Sequence, residues 1–238
     1  MAHVAALRKA AMERPELNQA IIEVKKVQAQ RFASTYADLL ESPVYSPSAR
    51  FFLEELYGAR DFSLRDEQFA RIAGALEFTF PSHVVATAIA LARLHELTEE
   101  MDLAMAQHWA ENGCYAFGER YVSAWRQVGR PTDRTWQLAT VLNIGERLTD
   151  LTRKRSLRLM LKMMRKPAKL AGLESLQSFL EAGFDCFSEM AGRGGSAADF
   201  LDRIKKRETD WIDQLFNGDA IDCASRVNQL PTQIGAAP

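Results

Sequence analysis

Apolar residues recur at helical spacing almost without interruption from about Pro15 to Phe216, and no stretch alternates in the manner of a strand. That one regularity restricts the chain to an all-α fold. With short connections between segments, it predicts a single-domain bundle of eight or nine helices with no sheet. The helical domain is expected over residues 1–216, its first few residues loose, with a flexible tail over 217–238.

The punctuation sets the expected segments. Pro15 suits a first helical turn, and Ser42-Pro43 stops that helix after about Glu41. Ser46-Pro47 opens a short helix that Gly58 ends. Ser63 with Asp66 starts the next, carrying Phe69, Ile72, Ala73 and Leu76 on one side. A long helix runs from His83 to about Trp109, and another from Tyr115 to Gln127. Thr132 begins a stretch that reaches Arg165, bent near Gly145 and broken by Pro167. Glu174–Met190 follows, then a Gly192–Gly195 turn, and Ser196 caps a last helix through Phe216. Gly183, inside a helical pattern, is read as permitting close helix packing.

Composition narrows the function classes. The formal net charge is −1, so no global field recruits nucleic acid or a membrane, and electrostatic recognition must come from local patches. Cys114, Cys186 and Cys223 are too few and too far apart for a disulfide framework or a metal knuckle, which fits a reducing, cytoplasmic setting. Cys114 and Cys186 lie beside aromatic residues and read as buried, inert thiols. No apolar run is long enough for a signal peptide or a spanning helix.

Residues 51–58 read Phe-Phe-Leu-Glu-Glu-Leu-Tyr-Gly, and with residues 61–66, 94–99 and 176–184 they resemble the bacterial FFLEELY-motif proteins over roughly 31–216. The resemblance implies a helical fold and carries over no activity, cofactor or catalytic residue. Read physically, Phe52, Leu53, Leu56 and Tyr57 share one face, while Phe51 points away among Glu54 and Glu55. Such a helix is expected to wedge between neighbours, its glutamates paired with arginines such as Arg60 or Arg65. The other reading makes it the wall of a ligand pocket, with Tyr57 among the binding residues.

Two constellations remain. The first is basic: Arg153, Lys154, Arg155, Arg158, Lys162, Arg165, Lys166 and Lys169, with no acid between residues 152 and 170. On a helix most of these cover one side, and Leu157, Met160, Leu161, Met163 and Met164 the other. Such a face can meet anionic lipid, nucleic acid or an acidic protein, or can simply be solvated and paired within the chain. The second is His95 with Glu99 and Asp102 on one helix face. It invites a ligand site, but the second histidine of a zinc-protease helix is missing and no Glu-x-x-His pair is present. A haem reading rests on His95 alone.

No nucleophile–base pairing and no phosphate loop is legible, and neither metal nor cofactor is implied. The leading expectation is therefore a non-enzymatic regulatory or interaction protein binding a protein partner through helical surfaces. A small-molecule or haem-type sensor with a cavity near the motif and His95 is second. An enzyme using Glu99 and Asp102 in a cleft comes last. The oligomeric state is not legible.

Overall fold

The computed structural model describes residues 2–56, 64, 67–68 and 82–230. Among these residues the fold is all-α: eleven α-helices, one π-helical turn and no strand. The helices are α1 (Ala2–Met12), α2 (Pro15–Thr35), α3 (Ala37–Glu41), α4 (Ser46–Phe51), α5 (Ser82–Glu111), α6 (Phe117–Val128), α7 (Pro131–Thr152), α8 (Arg155–Leu170), α9 (Glu174–Gly192), α10 (Ala197–Asn217) and α11 (Ala220–Asn228). The π-helical turn, Phe52–Leu56, continues α4.

Among the described residues the helix count exceeds the expected eight or nine because a helix precedes Pro15, another follows Phe216, and two long segments are divided. The loose start is instead α1, whose Val4 and Ala11 are buried. In place of a tail after Phe216, Asp219 caps α11 by accepting from the Ile221 and Asp222 amides, and Cys223, Ala224 and Val227 are buried. The first long segment breaks at Tyr36, whose φ of −117° and ψ of 22° are not helical. The second breaks at Arg153-Lys154, where Lys154 is extended, so the chain never runs as one helix to Arg165. Pro167 does not end α8. It lies in the last turn, where it removes only its own N–H from the ladder.

Elsewhere the expected signals act as read. Pro15 opens α2, and Ser196 Oγ accepts from the Asp199 amide at 3.2 Å; α7 begins at Pro131, one residue before the expected Thr132. Ser46 is the first residue of α4 and not its side-chain cap. Ser42 Oγ instead accepts from the Val44 and Tyr45 amides. The segment expected from Ser63 to Leu76 lies largely outside the described residues, as do Arg60, Arg65 and Gly58.

The helices enclose two apolar cores. One joins Leu17, Val24 and Val27 of α2 to Met105 and Trp109 of α5, Tyr121 and Trp125 of α6, Trp211 and Leu215 of α10, and Val227 of α11. The other joins Phe32, Tyr36 and Leu39 to Phe51, Phe52, Phe179, Phe187, Phe200 and Ile204. The motif aromatics belong to this second core on both sides. Phe51 meets Phe179 at 5.6 Å and Phe52 meets Phe200 at 5.5 Å between ring centroids. Phe51 is thus buried and does not point away among the glutamates. A Cβ on Gly183 would come within 3.1 Å of the Phe51 ring, so the glycine lets α9 lie close to the motif without displacing that ring.

Candidate functional site

Helices α2 and α10 each run through both cores, and each carries one charge where it passes between them. On α2, Arg31 lies between Val27 and Phe32; on α10, Glu208 lies between Ile204 and Trp211. Both are 5% exposed. A charge taken out of water needs a partner, and the two form a fork-on-fork pair. Arg31 Nη1 donates to Oε1 at 3.1 Å and Nη2 to Oε2 at 2.8 Å. The Tyr36 hydroxyl adds a bond to Oε1 at 2.9 Å, and the Arg31 guanidinium lies 5.4 Å from the Trp211 ring centre.

The polar seam extends to α5. The structure places His95, Glu99 and Asp102 along one side of this helix, as their spacing requires, and brings α1 and α2 against them. Lys25 Nζ donates to Glu99 Oε1 at 2.8 Å, and Arg8 reaches both Glu99 oxygens at 3.3 and 3.4 Å. Arg8 Nη2 also lies 3.3 Å from His95 Nε2. A guanidinium can only donate, so a hydrogen bond here would have Nε2 as its acceptor. Gln28 Nε2 donates to Asp102 Oδ1 at 3.0 Å.

Environment separates the two carboxyls. Burial acts to raise Glu99, but Lys25 and Arg8 outweigh it and hold the group below its usual range. Burial dominates at Asp102, and the nearby Glu99 charge adds to it. Lys25 at 3.9 Å and the Gln28 bond only partly offset this, so Asp102 is raised. Tyr121 is fully buried beside the same charges, its phenol raised by burial, and its hydroxyl has no hydrogen-bond partner among the described residues. Chemically this is a matched ionic seam. The acids are engaged by cations and an amide, and among the described residues no group of three metal-ligating side chains is assembled. The nitrogen by which His95 would bind haem iron faces Arg8. Tyr57 lies outside the described residues.

The basic constellation is on the periphery. Helix α8 packs on α9 and more lightly on α7 among the described residues. Leu157, Met160, Leu161 and Met164 are half-buried and Ala168 is buried against that side. The cations turned toward α9 are paired: Arg158 with Asp185 at 3.2 Å, Arg165 with Glu181 at 2.6 Å and Lys169 with Glu174 at 3.6 Å. Arg153, Lys154, Lys162 and Lys166 are exposed, with no ion pair to another described residue. Of Arg155 only the backbone is described. Met163 departs from the expected sidedness. It is 63% exposed, and with Leu159 at 59% and Leu170 at 90% it forms an apolar strip beside Lys162 and Lys166.

Reasoning from the sequence missed Arg8, Lys25, Gln28, Arg31, Tyr36 and Glu208. For Arg31 and Glu208 the signal was available. Each falls inside its helix's apolar stripe, among Leu17, Ala20, Val24 and Val27 on α2 and among Phe200, Ile204, Trp211 and Leu215 on α10. Cys114 was also misjudged: it lies in the turn after α5 and is exposed, whereas Cys186 and Cys223 are buried. Burial pushes the Cys186 thiol up to about 12, the state of an unreactive thiol.

Fold and site together define an all-α bundle with a paired ionic interior and one peripheral basic helix, and among the described residues no helix is long and apolar enough to cross a membrane. The chain belongs to the family described as domain of unknown function DUF8198, whose model matches residues 7–221. No curated protein and no solved structure matches it.

Proposed function

We propose that this chain is a non-enzymatic interaction protein of the bacterial cytoplasm, within the group marked by the Phe51–Gly58 motif, and that α8 is its docking element. One observation carries the reading. The cations of α8 that face the bundle are paired with α9 acids, while Lys162, at the edge of that acidic cleft, and Lys166 are exposed without an ion pair to a described residue, beside exposed Leu159, Met163 and Leu170. A helix that served only to cover the core would need neither the outward cations nor the outward apolar strip. The interior seam supports the same reading from the other side. Its carboxylates are engaged by Arg8, Lys25, Gln28, Arg31 and Tyr36, which suits a rigid scaffold.

The test is capture of bound material from host extract on immobilised wild-type chain and on Lys162→Glu/Lys166→Glu. The double variant is expected to keep the wild-type helical signal and to lose the captured species. Identical capture by both removes α8 as the docking element.

A further inference from the structure

We infer that the surface α8 docks onto is an anionic lipid bilayer, with Leu159, Met163 and Leu170 lowered into the headgroup boundary and Lys162 and Lys166 set against lipid phosphates. The inference rests on the reading of α8 as the docking element and names what it docks to.

The apolar face of α8 is wider than its packing requires. At 100° per residue, Leu159, Leu170, Met163, Met160, Met164, Leu157, Ala168 and Leu161 sweep an arc of about 200°. The bundle covers only the half from Met160 to Leu161, about 100°, which is an ordinary packing stripe. The other half is exposed, and the outward lysines border it directly. Residues 152–170 contain no acid that could repel a negative surface. An outward apolar strip alongside outward lysines is the arrangement by which a helix lies in a membrane interface, since lysine stems can reach up from the apolar level to the headgroups. At 16 residues α8 is suited to lying on a bilayer and not to spanning one. Its position at the edge of the bundle, packed chiefly on α9 and more lightly on α7, leaves the side of Leu159, Met163 and Leu170 exposed to a flat partner.

The same residues fit other anionic partners less well. Nucleic acid binding uses cations for phosphates and aromatic rings for bases. An exposed Leu-Met-Leu strip contributes to neither, and residues 153–170 contain no aromatic residue. Protein hot spots favour tryptophan, tyrosine and arginine seated in pockets. The outward strip holds none of these, and the shallow cleft beside it, lined by Arg158, Lys162, Arg165, Glu181 and Asp185, is occupied by the ion pairs just described.

The experiment is co-sedimentation of the full chain with phosphatidylcholine vesicles, with and without phosphatidylglycerol. Sedimentation is expected only with phosphatidylglycerol and is expected to fall as salt rises. Lys162→Glu/Lys166→Glu should weaken it by about 30-fold or more, because two surface lysines each contribute roughly fivefold at an anionic membrane. Leu159→Ser/Met163→Ser should weaken it by about tenfold or more with unchanged thermal melting, because both side chains are exposed in the free chain. No sedimentation, equal sedimentation with neutral vesicles, or indifference to either variant overturns the inference. So does tighter binding to duplex DNA, or a dimer in solution that Leu159→Ser/Met163→Ser dissociates. If vesicle binding fails while capture from host extract still depends on Lys162 and Lys166, the bilayer is wrong and the docking element stands. If capture is also indifferent, both fall.

Discussion

Removing the Glu208 carboxylate tests the claim that a matched charge pair joins the two cores. In Glu208→Leu, Arg31 keeps its charge at 5% exposure but loses its two bonds to Glu208, and Tyr36 loses its 2.9 Å bond to that carboxylate. Breaking a buried pair from one side costs about 3–5 kcal/mol, because the surviving charge stays desolvated. For a domain of this size each kcal/mol lowers Tm by about 2–4 °C, so the expected fall is about 6–20 °C. Arg31→Met should cost a similar amount for the mirror-image reason. In the double variant Arg31→Met/Glu208→Leu both members of the pair are gone, so no charge is left desolvated against its lost partner. What is lost is the Tyr36 bond to the carboxylate, worth about 1 kcal/mol, while the hydroxyl keeps its 3.5 Å contact with the Ile204 carbonyl. The assay is urea unfolding followed by helical circular dichroism, analysed as a double-mutant cycle. If the double variant loses the sum of the two single losses, the residues act independently and the reasoning is refuted. Single losses below about 1 kcal/mol would refute it equally, since they would mean that neither charge is held out of water.

The seam also predicts a pH signature. Glu99 is held below its ordinary 4.5, so the folded chain binds fewer protons there than the unfolded one. The stability this supplies is full above that pH and is lost as pH falls through the folded value; Glu99→Gln should flatten this acid limb in urea melts. Asp102 is raised from 3.8, so stability falls as pH rises from there through the folded value. Asp102→Asn should gain on the wild type between acid and neutral pH, and a pH-independent difference would count against its burial. A Cβ on Gly118 would collide with the Ala224 carbonyl of α11, so Gly118→Ala should cost about 1–3 kcal/mol. A thiol reagent should label Cys114 alone in the native wild type and Cys223 as well in that variant; protection of Cys223 there would mean that α11 stays docked.

Helical spacing, prolines and the Ser196 cap were enough to read most of the elements, because each is a local effect. The aromatic wedge at Phe51-Phe52 and the close approach at Gly183 were legible for the same reason. Helices α1 and α11 were not, because each is short and owes its order to a few buried residues: Val4 and Ala11 in one, Cys223, Ala224 and Val227 in the other. The candidate site divided along the same line. His95, Glu99 and Asp102 share a face by spacing alone, but their partner Arg8 sits 91 residues from Glu99 in the chain, and no local pattern announces that contact. Arg31 and Glu208, 177 residues apart, could each have been flagged as a charge inside an apolar stripe, though not paired with the other.

Charge in this chain follows two opposite rules, and the contrast makes α8 stand out. Lysine and arginine number 30 against 31 acids, so near-neutrality holds for the molecule as a whole. Along the interior seam it also holds locally, with Glu99 facing Lys25 and Arg8, and Glu208 facing Arg31. On the α9 side of α8 it holds again, through Asp185, Glu181 and Glu174. It weakens on the outer side of α8, where Lys162 borders Glu181 without an ion pair, Lys166 has no ion pair to a described residue, and the neighbouring positions are Leu159 and Met163. Reversing those lysines should change stability by no more than about 0.5 kcal/mol, the range of ordinary surface substitutions. On the proposed reading, the apolar strip of Leu159, Met163 and Leu170 is accounted for by the anionic surface on which α8 docks.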